Sequence, residues 1–369
     1  MIHPARQLSY DDLLSGLEAA KREGSVAEAP NRDGLRLFCY TKQAVYDRMW
    51  NPFSMMARGL ILDDVRKEVV ATPFPKFFNV GEGDTTIPDL PFETFEKLDG
   101  SLIIIFHHDG QWKTATKGSL YSDQARWARD HLNRFDLSSL VPGDTYLAEG
   151  IYPENRIVVT YDYEGLVLLA AYDAQGYELT YDEVLRTATA LGGRAAERHS
   201  FQSVSDLIAH TGTLSANEEG FVLRFSNGLR LKVKGEEYRR IHALISRCTP
   251  LAMWEAMKDD IDLDDLRRQL PEEFWVDFDS ITLILSDQLA ALTTKIAEAV
   301  LGVQHLSDKE VGLMLNNFSK DVRRFVFPYR NGKLLKGTLR DALFREIRPT
   351  GNVLTGYRPS YAMNRVMDE

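Results

Sequence analysis

Lys97 stands two residues before Asp99 and three before Gly100, in the stretch EKLDGSLIIIF. A lysine amine is nucleophilic only when unprotonated, and its ordinary pKa is near 10.4. Burial and neighbouring cations free the amine by pulling that value down. Lys117, Lys232 and Lys234, together with a divalent metal, would supply that push, so the sequence predicts a depressed pKa at Lys97. Asp99 is placed to orient the lysine or a metal-bound water, and Gly100 lets the backbone turn closely. The alternative reading is the solvated end of an ordinary hairpin.

A partner for such an amine is written in GLRLKVKGEEY. Leu229, Leu231 and Val233 alternate with Arg230, Lys232 and Lys234, and strand residues two apart share a face. Lys232 and Lys234 therefore project together, as a clamp for an anion such as a phosphate or as a plain wet sheet face. Glu219, at the entry to the preceding strand GFVLRF, would pair with these lysines or hold a metal. Glu149 lies in the apolar stretch YLAEGIY, where a carboxylate is costly unless paired or coordinated. His107 and His108 adjoin the turn dipeptide Asp109-Gly110 and read as a solvated hairpin end.

These residues need elements to hold them. Ser9 is a helix cap, with Leu13, Leu14, Leu17 and Ala20 on one face and Gly24 as the stop. Strand-type runs follow: LRLFCY, GLILD, EVVATPF, SLIIIF, QWKTATKG, TYLAEGIY, RIVVTY, GLVLLAAYD, EGFVLRF and LRLKVK. Helices are predicted after Ser122, over 181–191 and around 204–210. Beyond Ser246 apolar residues recur every three or four positions and strand text nearly vanishes. The fold class expected is α+β: an N-terminal domain of antiparallel sheets (1–245) followed by an all-α domain (246–369).

Composition narrows the field. The 369 residues carry a net charge of -10, which alone argues against non-specific nucleic-acid binding. The charge is uneven, however. Residues 255–310 hold 14 acidic and 5 basic side chains, and residues 320–365 hold 11 basic and 3 acidic. Cys39 and Cys248 are isolated, which predicts neither a disulfide framework nor a zinc site. No apolar run is long enough to span a membrane, and the start MIHPARQLSYDDLL lacks a basic region followed by an apolar one. A cytoplasmic protein with no membrane association and no obligate protein partner is expected. A P-loop signature is absent, and Gly81 with Gly83 makes only half of a dinucleotide fingerprint.

The ordered series EKLDGSL, ATKGS, LAEGIYPENRIVV, EEGFVLRF and LKVK resembles the motifs of covalent nucleotidyltransferases, the polynucleotide ligases and mRNA-capping enzymes. The N-terminal LFCY, ARGLILD and FPKFFN are similar to the single-strand RNA ligase family typified by RNA ligase 1 of the T-even phages. The resemblance spans roughly residues 35–242. It implies an N-terminal nucleotidyltransferase domain with its sheets around an ATP site. It further implies an ATP-dependent RNA ligase that joins RNA 3′-hydroxyl and 5′-phosphate ends in RNA or tRNA repair, with nicked tRNA as a substrate. Lys97 would carry AMP, with Mg²⁺ or Mn²⁺ as the metal. Lys232 and Lys234 would contact the ATP α-phosphate, Glu149 the ribose, and Glu219, with Asp99, the metal or its water. Tyr40, Arg58 and Lys76 would engage the outgoing pyrophosphate or the RNA phosphate. Lys117 matches a further basic position, Phe78 a packing residue near the nucleotide, and Tyr172 is the candidate for stacking on the base. The family has another basic residue two before Lys117, where this chain has Ala115.

Two alternatives stand beside this. A DNA ligase or capping enzyme generally carries an OB-type β domain after the last lysine strand, whereas helices are predicted here. A non-catalytic RNA-binding protein on a ligase scaffold would not require the full set Lys97, Glu149, Glu219, Lys232 and Lys234. The segment 320–365 interleaves basic and aromatic residues, as an RNA grip would, or else it pairs with the acidic helices before it.

Overall fold

The structure is a computed structural model and describes residues 2–30, 34–83, 85–270, 274–333, 337–360 and 363. Lys336 and Arg365 of the basic segment, with Glu272 and Glu273 of the acidic one, lie outside the described residues. Two compact units are present, Met1–Arg239 and Arg240–Glu369, and the division falls inside the helix Glu236–Ser246.

The first unit holds three sheets. The first runs β1 (Val26–Glu28), β2 (Leu35–Tyr40), β3 (Arg58–Asp63) and β4 (Glu68–Ala71), in that order and antiparallel throughout. The other strands are β5 (Phe78–Asn79), β6 (Phe92–Glu96), β7 (Ser101–His108), β8 (Gln111–Ala115), β9 (Thr145–Ile151), β10 (Gly165–Tyr172), β11 (Arg194–Ala195), β12 (Arg198–His199), β13 (Gly220–Phe225) and β14 (Arg230–Lys234). They form a second sheet in the order β11-β10-β9-β7-β8 and a third in the order β12-β6-β13-β14-β5. Antiparallel pairing dominates, but the edge pairs β10–β11 and β14–β5 are parallel.

Alternation builds the layers. Leu13 and Leu17 of the helix Tyr10–Arg22 pack on Phe38, Leu60 and Leu62 of the first sheet. Its other face, Leu37 and Ile61, meets Ile104, Phe106 and Leu147 of the second. Ile103, Ile105 and Leu168 turn the opposite way and are covered by Ala128 and Leu132 of the helix Asp123–Leu132 and by Val184 and Ala188 of the helix Tyr181–Ala190. Both the first helix and the Asp123–Leu132 helix are capped as their sequences predict, by Ser9 and Ser122 accepting from the amides of Asp12 and Ala125. The Asp109-Gly110 turn takes φ of 53° and 73° and joins β7 to β8 as a hairpin.

Three expectations are corrected. His108 is not solvated: it is buried, and its Nε2 lies 2.9 Å from Asp63 Oδ2. RIVVTY is not a strand, because the amides of Val158 and Val159 donate to the Asp99 carboxylate and not to a neighbouring strand. Tyr172 cannot stack on a base. It is buried edge-on against His3 and Phe74, and a β-bulge between Leu168 and Ala170 resets the alternation that precedes it. Arg230, the other basic residue of the lysine strand, is buried and paired with Glu178.

In the second unit LAMWEAMKDDIDLDDLRRQL, where apolar residues recur at helical spacing, forms two helices, Pro250–Lys258 and Leu263–Gln269, the second begun by Asp262 as its cap. The longest helix is Trp275–Leu301, followed by Asp308–Met314, Lys320–Arg323, Val326–Arg330 and Gly337–Glu346. No helix among the described residues is long and apolar enough to cross a membrane.

Candidate functional site

Lys97–Gly100 is the link between β6 of the third sheet and β7 of the second, so it sits where the two sheets meet. Lys97 donates its backbone amide to Gly220 O at 2.8 Å. That bond seats Lys97 beside Glu219. Gly220 is required there: its φ is +138°, and a Cβ would fall 2.0 Å from Val233 O. Gly100 is required as well, because a Cβ would fall 2.6 Å from Gly150 O. Its amide instead reaches Glu149 Oε1 at 3.1 Å, tying the link to β9.

Glu219 is 2% exposed and joins two lysines, Lys97 Nζ at 2.6 Å and Lys234 Nζ at 2.9 Å. These cations hold its carboxyl below the usual range although burial pushes the other way. The Lys97 ammonium shows the converse. Burial alone would lower its pKa, but Glu219 and Glu149 outweigh burial and hold it above the ordinary lysine value. The expected depression at Lys97 is therefore not found. A depression occurs on β14, two strands from β6: burial first, then Lys97, Lys234, Lys76 and Arg58, pull Lys232 down to about 7. Burial, against the opposing charge of Lys97, pushes Glu149 up to about 8.

Asp99 is held on several sides. Oδ2 accepts from the amides of Val158 and Val159 at 2.8 and 2.9 Å, and Oδ1 accepts from the Tyr238 hydroxyl at 2.8 Å. Its own amide donates to Tyr161 Oη at 2.7 Å. The carboxylate is an anchor for the lysine link, with both oxygens engaged by the protein. Asp99→Ala would strip the acceptor from two amides and one hydroxyl. At about 1–3 kcal/mol for each unsatisfied buried group, melting should fall by several degrees or more in scanning calorimetry. Tyr238→Phe removes one partner and should shift it far less; equal shifts would refute the anchor.

The remaining basic candidates surround an aromatic cluster. Tyr40 meets Trp50 edge-on at 5.3 Å, and Trp50 meets Phe78 edge-on at 5.4 Å. Lys76 Nζ lies 5.4 Å from the Trp50 ring centre and 4.6 Å from that of Phe78. Arg58 stacks over Phe77 at 5.4 Å, and its buried Nη1 has no hydrogen-bond partner among the described residues. Lys117 backs onto Gly59, next to Arg58. Ala115 is fully buried in the core beside Ile104, so no side chain at that position could reach a phosphate without unmaking the packing. Sequence reasoning passed over Trp50, Tyr161 and Tyr238. Tyr238 alone carried a signal, lying four residues beyond Lys234 and so one turn into the following helix.

The arrangement places an oriented lysine amine, a paired-lysine strand and a buried unpartnered guanidinium nitrogen in one unit, a set suited to a phosphate-bearing substrate. Residues 56–238 match the model of a family described as RNA ligase. Over 227 residues the chain is 29% identical to a predicted bifunctional polynucleotide kinase/RNA ligase of Autographa californica nuclear polyhedrosis virus, covering 53% of this chain and 32% of that protein. It is 24% identical over 208 residues to the RNA ligase of Rhodothermus phage RM378, covering 44% and 46%. Among solved structures an archaeal ATP-dependent RNA ligase aligns with a TM-score of 0.49 at 16% identity, over 76% of this chain and 83% of that one. The chain spans about half, or less, of the length of the curated relatives it matches.

Proposed function

We propose that this chain, whose residues 56–238 belong to the RNA ligase family, is an ATP-dependent RNA ligase acting through a lysyl-AMP. The observation that carries the reading is Lys97, held 2.6 Å from the buried Glu219 with Lys232 and Lys234 on the strand that follows.

The Lys97 amine attacks the α-phosphorus of ATP. A nitrogen–phosphorus bond forms as the bond to pyrophosphate breaks. An RNA 5′-phosphate oxygen then takes the adenylyl group from Lys97, and an RNA 3′-hydroxyl attacks that activated phosphate and releases AMP. Lys232 and Lys234 neutralise the α-phosphate. Arg58, Lys76 and Lys117 serve the outgoing pyrophosphate or the RNA end, with Trp50 and Phe78 packed around Lys76 and Tyr40 against Trp50. Glu149, its carboxyl pushed up to about 8 and so mostly protonated at neutral pH, can donate to a ribose hydroxyl as well as accept from one. Before attack the ammonium of Lys97 must lose its proton and its hold on Glu219.

Among the described residues no group of three His, Cys, Asp or Glu side chains could hold a metal. Glu219 fits a divalent ion that takes its other ligands from substrate phosphates and water, the usual habit of Mg²⁺. Such an ion would neutralise phosphate charge. RNA repair, with nicked tRNA among the substrates, is the role this chemistry would serve, in the cytoplasm. The test is incubation with α-labelled ATP and Mg²⁺, then with 5′-phosphorylated single-stranded RNA. A covalent AMP adduct followed by joined RNA is expected; no adduct, or joining of nicked DNA alone, would overturn the reading.

The low pKa of Lys232 gives a pH signature. Below pH 7 its side chain is charged; above it the charge is lost. Affinity for an unreactive α,β-methylene ATP should therefore weaken as pH rises from 6 to 8.5, by up to about tenfold per unit beyond 7. Calorimetric titration of Lys232→Met should show a flatter profile and weaker binding at pH 6.

A further inference from the structure

Three arginines of the basic segment after Lys320 are paired with acids of their own unit. Arg324 pairs with Glu346, Arg330 with Asp308 at 3.1 Å, and Arg340 with Asp260 at 2.6 Å. Arg330 and Arg340 also donate to the carbonyls of Val303 and Met257. A grip along the whole segment is thus not what these side chains form. One place differs. Leu315, Lys320, Arg323, Arg324, Phe327 and Pro328 line a cavity of about 360 Å³. Lys320 is exposed and has no ion pair among the described residues, because the neighbouring Asp321 is taken by Lys295 at 2.7 Å. Arg323 is pinned through one nitrogen to the carbonyls of Asn316 and Phe318 at 3.4 and 3.3 Å, and its buried Nε has no partner among the described residues. Of the cations lining the cavity, Arg324 alone faces an acid, Glu346.

We propose that this cavity is a subsite for single-stranded RNA, with Lys320, Arg323 and Arg324 receiving a backbone phosphate and Phe327 lying against the adjoining base. A cationic wall beside an aromatic ring is what sequence-tolerant recognition of single strands requires. The site rests on the RNA-joining reading but is separate from the lysine chemistry, so the two can fail independently.

The experiment uses the full chain as wild type, as Lys320→Glu, and as Lys309→Glu, an exposed lysine of the same unit that does not line the cavity. Fluorescence anisotropy with a 5′-phosphorylated single-stranded RNA is measured from 50 to 200 mM salt, and the AMP adduct is measured in parallel. Lys320→Glu should bind RNA about five- to tenfold more weakly, with a salt slope shallower by about one. Lys309→Glu should stay within about twofold, and both should form the adduct at the wild-type level. Unchanged RNA affinity, or equal weakening in both variants, would overturn the subsite. So would inorganic phosphate binding that responds to Lys320→Glu while RNA binding does not. If the wild type forms no adduct, the ligase reading fails, and the anisotropy still decides the subsite.

Discussion

A chain carrying Lys97→Ala is expected to form no covalent AMP adduct under conditions that fully label the unaltered chain, and to keep its fold. Both halves follow from the geometry. Lys97 is the amine placed at the meeting of the second and third sheets, its backbone fixed to Gly220 and its ammonium to Glu219. Lys232 cannot substitute although it holds its proton least tightly, because it sits on β14 and not on the link that Asp99 anchors. Removing one member of a buried ion pair is usually costly, about 3–5 kcal/mol, because a charge is left uncompensated. Here Glu219 keeps Lys234 at 2.9 Å, so the loss should be well below that. The measurement is autoradiography of the denatured protein after incubation with α-labelled ATP, with a melting curve as control. Undiminished labelling would remove Lys97 from the mechanism. A chain that neither labels nor melts cooperatively would call for Lys97→Met, which keeps the apolar stem.

What was readable in advance follows the range of the interaction. Lys232 and Lys234 were legible because alternation along one strand is a local rule, and β14 obeys it. Lys97, Asp99 and Gly100 were legible as a motif, yet their electrostatics were not. The proton on Lys97 is governed by Glu219, distant in sequence and brought close by the pairing of β6 with β13. Tertiary hydrogen bonding overrode local propensity at RIVVTY, where β-branched residues predict a strand but Asp99 binds the amides. Tyr172 was named from the resemblance alone, and its burial against His3 and Phe74 depends on residues distant in sequence. Trp50, from the loop between two short helices, gave no sign of its contact with Tyr40, Phe78 and Lys76, because nothing periodic relates those positions. In the second unit the excess of basic residues was plain, but its meaning depended on which acids folded against them.

Replacing Glu219 by Gln keeps the shape of the triad and removes its one negative charge. Loss of a single preorganised group typically costs a hundredfold or more in rate, and a loss of that order is expected in single-turnover adenylylation at pH 7. The residual activity carries the more specific sign. Glu219 and Glu149 raise the Lys97 pKa against burial. Without the Glu219 charge, burial and the neighbouring lysines dominate, so the amine should lose its proton at lower pH. The rise of the residual rate with pH should move toward acid relative to wild type. Stability shifts by the same linkage. A carboxylate with a lowered folded pKa contributes stability that is present above its unfolded value, about 4.3, and is lost as pH falls through the folded value. A lysine with a raised folded pKa contributes stability that is present below about 10.4 and is lost as pH rises through the folded value. Wild type should therefore lose more melting temperature than Glu219→Gln between pH 5 and 3, and again above pH 10. A variant with the wild-type rate profile would show that Glu219 does not govern the Lys97 proton. Equal acid sensitivity of the two chains would show that the triad seen here is not what holds Glu219 ionised.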